Sequence, residues 1–139
     1  MANSFSAQVS DWVRKSEQRM DVVRRTSVQR VVNIAQTPVG QKGNLPLDTG
    51  FLRRSLMATT SAMPRVGENL QGSENQIALA IANWDAGQAL YLGYTASYSS
   101  HVHWGTRGRA ARLWVTLAAQ RWQQIVAEVA RELRSRAGG

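Results

Sequence analysis

The chain has 139 residues, no cysteine, and a formal charge of +8 from 17 Lys/Arg against 9 Asp/Glu. That length makes one domain, 1–139, with a core of its own, its ends (1–5 and 136–139) expected to fray. The lack of cysteine excludes disulfides, thiolate metal sites and a cysteine nucleophile. No apolar run approaches the ~18 residues of a membrane span, and MANSFSAQVSDWVRKSEQ has acids but no apolar h-region. The simplest expectation is therefore a cytoplasm-like compartment with no membrane role.

The charge is concentrated at the two ends. Residues 1–64 hold nine Lys/Arg and four acids, 65–106 one Arg and three acids, and 107–139 seven Arg and two acids. Such a balance suits a polyanion or an acidic protein surface, although most individual arginines read as a solvated helix face.

A long helix is expected from about Ser6 to Gln36. Val9, Val13, Ser16, Met20, Val23, Ser27, Val31 and Ile34 recur at spacings of three and four, with Trp12 alongside. At ~1.5 Å per residue this rod is roughly 45 Å long, so part of it is expected to pack on a neighbouring subunit. Thr37-Pro38 ends it, because a residue before proline avoids helical angles. The loop 38-PVGQKGNLPLDTG-50 follows, and Asp48 reads as the N-cap of a short helix over about Thr49 to Leu56. Phe51, Leu52 and Leu56 would face inward, leaving Arg53 and Arg54 exposed.

The middle of the chain reads as β structure. LMATTSAM (56–63), QIALAIAN (76–83) and ALYLGY (89–94) are the expected strands, the second because Ile77, Leu79 and Ile81 alternate with alanine. The turn-like DAGQ (85–88) makes a hairpin of the last two. From Arg109 to about Ser135 the chain again reads as one helix, with Trp114, Leu117, Ala118, Trp122, Ile125, Val129 and Leu133 as its apolar stripe. The expected fold is α+β: a long N-terminal helix, a short helix, a small antiparallel sheet of three to four strands, and a long C-terminal helix packed on that sheet.

The only two histidines stand in 101-HVHWGTRGRAAR-112. On a strand, His101-x-His103 would put both imidazoles on one side, yet a metal site needs further ligands and none is near in sequence. There is no G-x-S-x-G elbow, no paired carboxylate, and neither phosphate-cradling pattern. No enzyme, cofactor or metal site is therefore expected. Arg53, Arg54, Arg107, Arg109 and Arg112 are the candidates for contact with a phosphate backbone or a neighbouring subunit, without helix-turn-helix or zinc-module spacing to confer sequence specificity.

Two segments carry a resemblance when taken together, 48-DTGFLRRSL-56 and 98-YSSHVHWGT-106. Their pairing resembles the tail-completion or head–tail joining (neck) proteins of long-tailed bacteriophages. That family joins a Pro-x-Asp-Thr-Gly-x-Leu-Arg-x-Ser segment to a later Tyr-x-x-Tyr/His-Val-Glu-aromatic-Gly-Thr segment. Pro46, Asp48, Thr49, Gly50, Leu52, Arg53 or Arg54, and Ser55 match the first; Tyr98, Val102, Trp104, Gly105 and Thr106 match the second. The chain departs from the pattern at His103, where the family usually has glutamate, and at GRAARLWVT, which replaces a Pro-Phe-Leu-x-Pro stretch.

The resemblance implies a non-enzymatic virion protein, assembled in the host cytoplasm and placed in the neck as a ring. Six copies would match tail symmetry, between the head connector or adaptor and the tail terminator or tail-tube proteins, around DNA held non-specifically in the channel. The motif residues then become architectural, and HVHWGT belongs to a strand end and turn. The alternative is a basic, non-sequence-specific DNA-binding or packaging accessory protein.

Overall fold

The computed structural model describes residues 4–38, 41, 43, 45, 50–105 and 113–136, without the side chains of Ser100 and His101. The fold is mixed helix and sheet, with long helices near both ends and a small antiparallel sheet between them. Helix α1 runs Phe5–Ala35, starting where Ser4 caps it by accepting a hydrogen bond from the Ala7 amide. Only its second half is covered: Ser27, Val28, Val32 and Ala35 are buried, whereas Val9, Trp12, Val13 and Met20 are exposed. The first half of the rod thus carries an apolar stripe that no described element of the chain covers.

Helix α2 (Phe51–Arg54) is shorter than expected, and strand β1 (Leu56–Thr59) takes over Leu56. Asp48 and Thr49, the expected cap and first turn, lie outside the described residues. Gly50 occupies the cap position at φ 76°, a left-handed conformation that glycine adopts without steric cost. Leu52 and Leu56 are buried and Arg54 exposed, as the pattern requires, while Arg53 is half-buried.

Among the described residues the sheet has two strands rather than three to four. Strand β2 (Tyr91–Tyr94) pairs antiparallel with β1, with Leu56 opposite Tyr94 and Thr59 opposite Tyr91. The expected strand 76–83 is instead helix α3 (Glu74–Ala82). Ser73 caps it by accepting from the Gln76 amide, Glu74 sits in its first turn, and alanine is the strongest helix former. Ile77 and Ile81, four apart, are both buried, but Leu79 between them is 62% exposed. The alternation was a helical i,i+4 pair plus one outward leucine.

Gln76 then occupies the place of a third strand. Its side-chain amide donates to the Ala58 carbonyl at 2.7 Å and its carbonyl accepts from the Ala58 amide at 3.3 Å. A side chain thereby closes the β1 edge, which would otherwise offer unpaired backbone groups.

Two further corrections concern the last third. HVHWGT is not a strand end: Ser99–Trp104 form helix α4. The expected single C-terminal helix is two, α5 (Trp114–Ala119) and α6 (Trp122–Arg136), divided at Gln120-Arg121. Both pack on α1 rather than on the sheet, and the sheet is met through Trp114 of α5 against Tyr94 of β2. Trp114, Ala118, Ile125 and Val129 are the buried face, while Leu117 and Trp122 are partly exposed. The core lies where α1, α3, β1, β2 and α5 converge.

Candidate functional site

The two motif segments meet in space. Ser55 is fully buried, and its hydroxyl donates to the Leu52 carbonyl at 2.7 Å, closing α2. Its own carbonyl accepts from both the amide and the hydroxyl of buried Thr95, each at 2.9 Å. Thr95 Oγ1 also accepts from the Leu70 amide at 2.9 Å, and its carbonyl receives the Gly67 and Asn69 amides. Phe51 and Tyr98 approach with ring centroids 6.1 Å apart. The segment 50–56, the 67–70 turn and the run into α4 are therefore fastened at one residue that neither motif contains.

Other motif residues are placed by packing. Leu52 is in the core and Val102 is packed against it. Gly105 has φ 86° and ψ 162°, a region essentially reserved for glycine, so the turn after α4 tolerates no side chain without strain. Trp104 is 69% exposed. Thr106, Arg107, Arg109 and Arg112 lie outside the described residues.

His103 belongs to an aromatic cluster. Its ring meets Trp114 edge-on at 5.1 Å and Trp104 at 4.7 Å, and Trp114 meets Tyr94 at 5.3 Å. Nε2 pairs with Thr116 Oγ1 at 2.9 Å, whereas the buried Nδ1 has no partner among the described residues. An imidazolium needs an acceptor for both N–H groups, so this site favours the neutral ring, and burial lowers the His103 pKa. Burial likewise raises the Tyr94 hydroxyl, which donates to Gln36 Oε1 at 2.6 Å. Gln36 in turn donates to the Arg53 carbonyl, tying the end of α1 to α2 and β2. Among the described residues no three His, Asp or Glu side chains gather in a way that could hold a metal.

The candidate basic residues that are described are engaged within the chain. Arg53 pairs with Glu74 at 3.1 Å, and Arg54 donates to Gln71 at 3.1 Å. On α1, Arg24 lies 4.0 Å over the Trp84 ring, and Arg24 and Arg25 both donate to the Trp84 carbonyl. Arg30 donates through both terminal nitrogens to Glu132, at 3.2 and 2.6 Å, clamping α1 to α6.

These contacts fix a pH dependence. The Arg30 hydrogen bond holds the Glu132 carboxyl below its ordinary 4.5, so the clamp is present above that pH and is lost as pH falls through the folded-state value. For His103 the folded chain resists protonation, so stability is present above the usual 6.5 and declines as pH falls below it. The melting temperature should therefore fall as pH is lowered below about 6.5. His103→Gln should flatten that first decline, and Glu132→Gln a later one below about 4.5; unchanged profiles would show that neither group is coupled to folding.

No protein-family model matches the chain, and neither a curated protein nor a solved structure matches it significantly. What bears on function is therefore the surface itself. Phe5 is 82% and Trp12 69% exposed, on one helical stripe with Val9 and Val13. Where this stripe continues through Met20 and Val23, it forms one wall of an apolar groove of about 1000 Å³. The other wall is the Trp122, Val126, Ala130 and Leu133 edge of α6, and Arg19, Arg24, Arg134 and Arg136 line its margins. The bare stripe was legible as a spacing pattern. The groove was not, because it exists only once α6 is laid against α1.

Proposed function

We propose that this chain is a non-enzymatic structural protein of a phage neck, a ring subunit that completes the tail and joins it to the head connector. One observation carries the self-assembly part of the reading: half of a 31-residue helix bears an apolar stripe that no described element of the chain covers. Single exposed apolar residues are ordinary, but a continuous stripe with two large aromatics marks a protein–protein contact. The neck assignment is supported by the paired motifs, whose described residues serve as core, cap and turn. Head-to-tail contacts that close give a ring, and six copies agree with tail symmetry.

Size-exclusion chromatography with light scattering, and electron microscopy of the chain alone or co-expressed with connector and tail proteins, test the proposal. A closed ring is the expected result. A chain that stays monomeric at every concentration and joins no ring defeats it. A monomer that binds duplex DNA tightly at low salt, with affinity falling by orders of magnitude between about 50 and 200 mM salt, would establish the accessory DNA-binding reading instead.

A further inference from the structure

We infer that the bare first half of α1 of one copy docks into the α1–α6 groove of a second copy. The inference rests on the self-assembly part of the proposed function and names the surfaces that meet.

Three observations select a second copy as the occupant. The first is that the molecule holds both halves of the contact. Among the described residues nothing covers the convex stripe of Phe5, Val9, Trp12 and Val13, and nothing fills the concave apolar groove. The second is length. Phe5 to Ser16 spans roughly 17 Å of helix, and Trp122 to Leu133 along the groove wall spans about the same. A groove that is open along its length and as long as three helical turns fits a helix face better than a small ligand, whose pockets enclose it. The third is connectivity. Met20 and Val23 of α1 form the groove's own wall, so the same unbroken helix cannot turn back into it. An α1 arm seated in this groove has to come from another molecule.

Size and charge agree. A buried phenylalanine or tryptophan removes about 150–250 Å² from water. On the arm side Phe5 and Trp12 thus account for roughly 300–500 Å² of the ~800 Å² per partner of a stable interface, with Val9, Val13 and the rim residues adding the rest. The rim is basic, and Glu17 stands four residues after Val13 at the border of the stripe, with no ion pair among the described residues.

The absence of cysteine from the sequence gives a background-free test. Full-length Val9→Cys and Ala130→Cys chains are mixed and treated with a short bis-maleimide. The mixed product should form about tenfold faster than either like-with-like product, because docking raises the effective concentration of facing thiols. In parallel, Trp12→Asp and Leu133→Asp should each lose the assembly while keeping the helical circular dichroism of the parent. Mixing those two variants should restore a one-contact dimer, since one brings an intact groove and the other an intact arm.

Several outcomes separate the inference from the reading beneath it. An assembly that cross-links Val9 only to Val9 overturns arm-in-groove docking and leaves the ring reading standing. A closed dimer with the mixed cross-link supports the docking and defeats the ring. A strict monomer without the mixed cross-link overturns both. If either aspartate variant loses its helical signal, the cross-linking arm decides alone.

Discussion

Replacing Trp114 with alanine should destabilise the folded chain by about 3–5 kcal/mol, the usual range for a buried aromatic cut to a methyl group. The indole is 2% exposed and lies at the one point where α5, β2 and α4 meet, edge-on to both Tyr94 and His103. Its removal takes away hydrophobic transfer energy and leaves a void between three elements that α1 holds in place, so collapse can recover little of the loss. Against a typical total of about 5–15 kcal/mol, such a change removes from about a fifth to nearly all of the stability of a small domain. Urea unfolding followed by far-ultraviolet circular dichroism measures it. Trp104→Ala is the control, because that ring touches the same imidazole from the solvent side and should cost under about 1 kcal/mol. Equal effects at the two positions would show that the aromatic cluster is not the anchor of the C-terminal half.

Trp114, Trp12 and Trp122 together mark what the sequence could convey. A tryptophan in a helical stripe reads as buried, and Trp114 is; Trp12 and Trp122 fit stripes just as well but end up on a bare arm and a groove wall. Periodicity reports which face is apolar, not which molecule covers it. The same limit explains α3. Ile77, Leu79 and Ile81 satisfy an alternating pattern, and because alanine is neutral to burial, the helical pair Ile77/Ile81 was hidden inside it. The overlooked signal was Ser73 three residues before Gln76, a helix-start spacing that should outweigh two alternations. In 98–105, two serines, two histidines, two large aromatics and a single valine gave no cue for a six-residue helix. What fixes α4 is tertiary: His103 against Trp114 and Thr116, Val102 against the core. The break between α5 and α6 likewise follows from packing on α1, since no proline or glycine marks Gln120-Arg121.

Thr95→Val is expected to cost about 1–3 kcal/mol, the penalty of leaving buried polar groups without partners. Valine matches threonine in shape, so the core is not perforated and the change isolates the hydroxyl. That hydroxyl donates to Ser55's carbonyl and accepts from the Leu70 amide. The Ser55 carbonyl keeps the Thr95 amide, but the Leu70 amide loses its acceptor. The 67–70 turn, held otherwise by the Thr95 carbonyl and by Asn69 Oδ1 accepting from the Ser97 amide, should loosen before the rest of the fold. Hydrogen exchange should show faster exchange at Gly67, Asn69 and Leu70, with α1 little changed below the global unfolding limit. Thr95→Ser, which retains the hydroxyl, should restore protection at Leu70. If valine and serine behave alike, the link between the two motif segments is carried by backbone pairing and the Phe51–Tyr98 contact, and Thr95 is only a filler of the core.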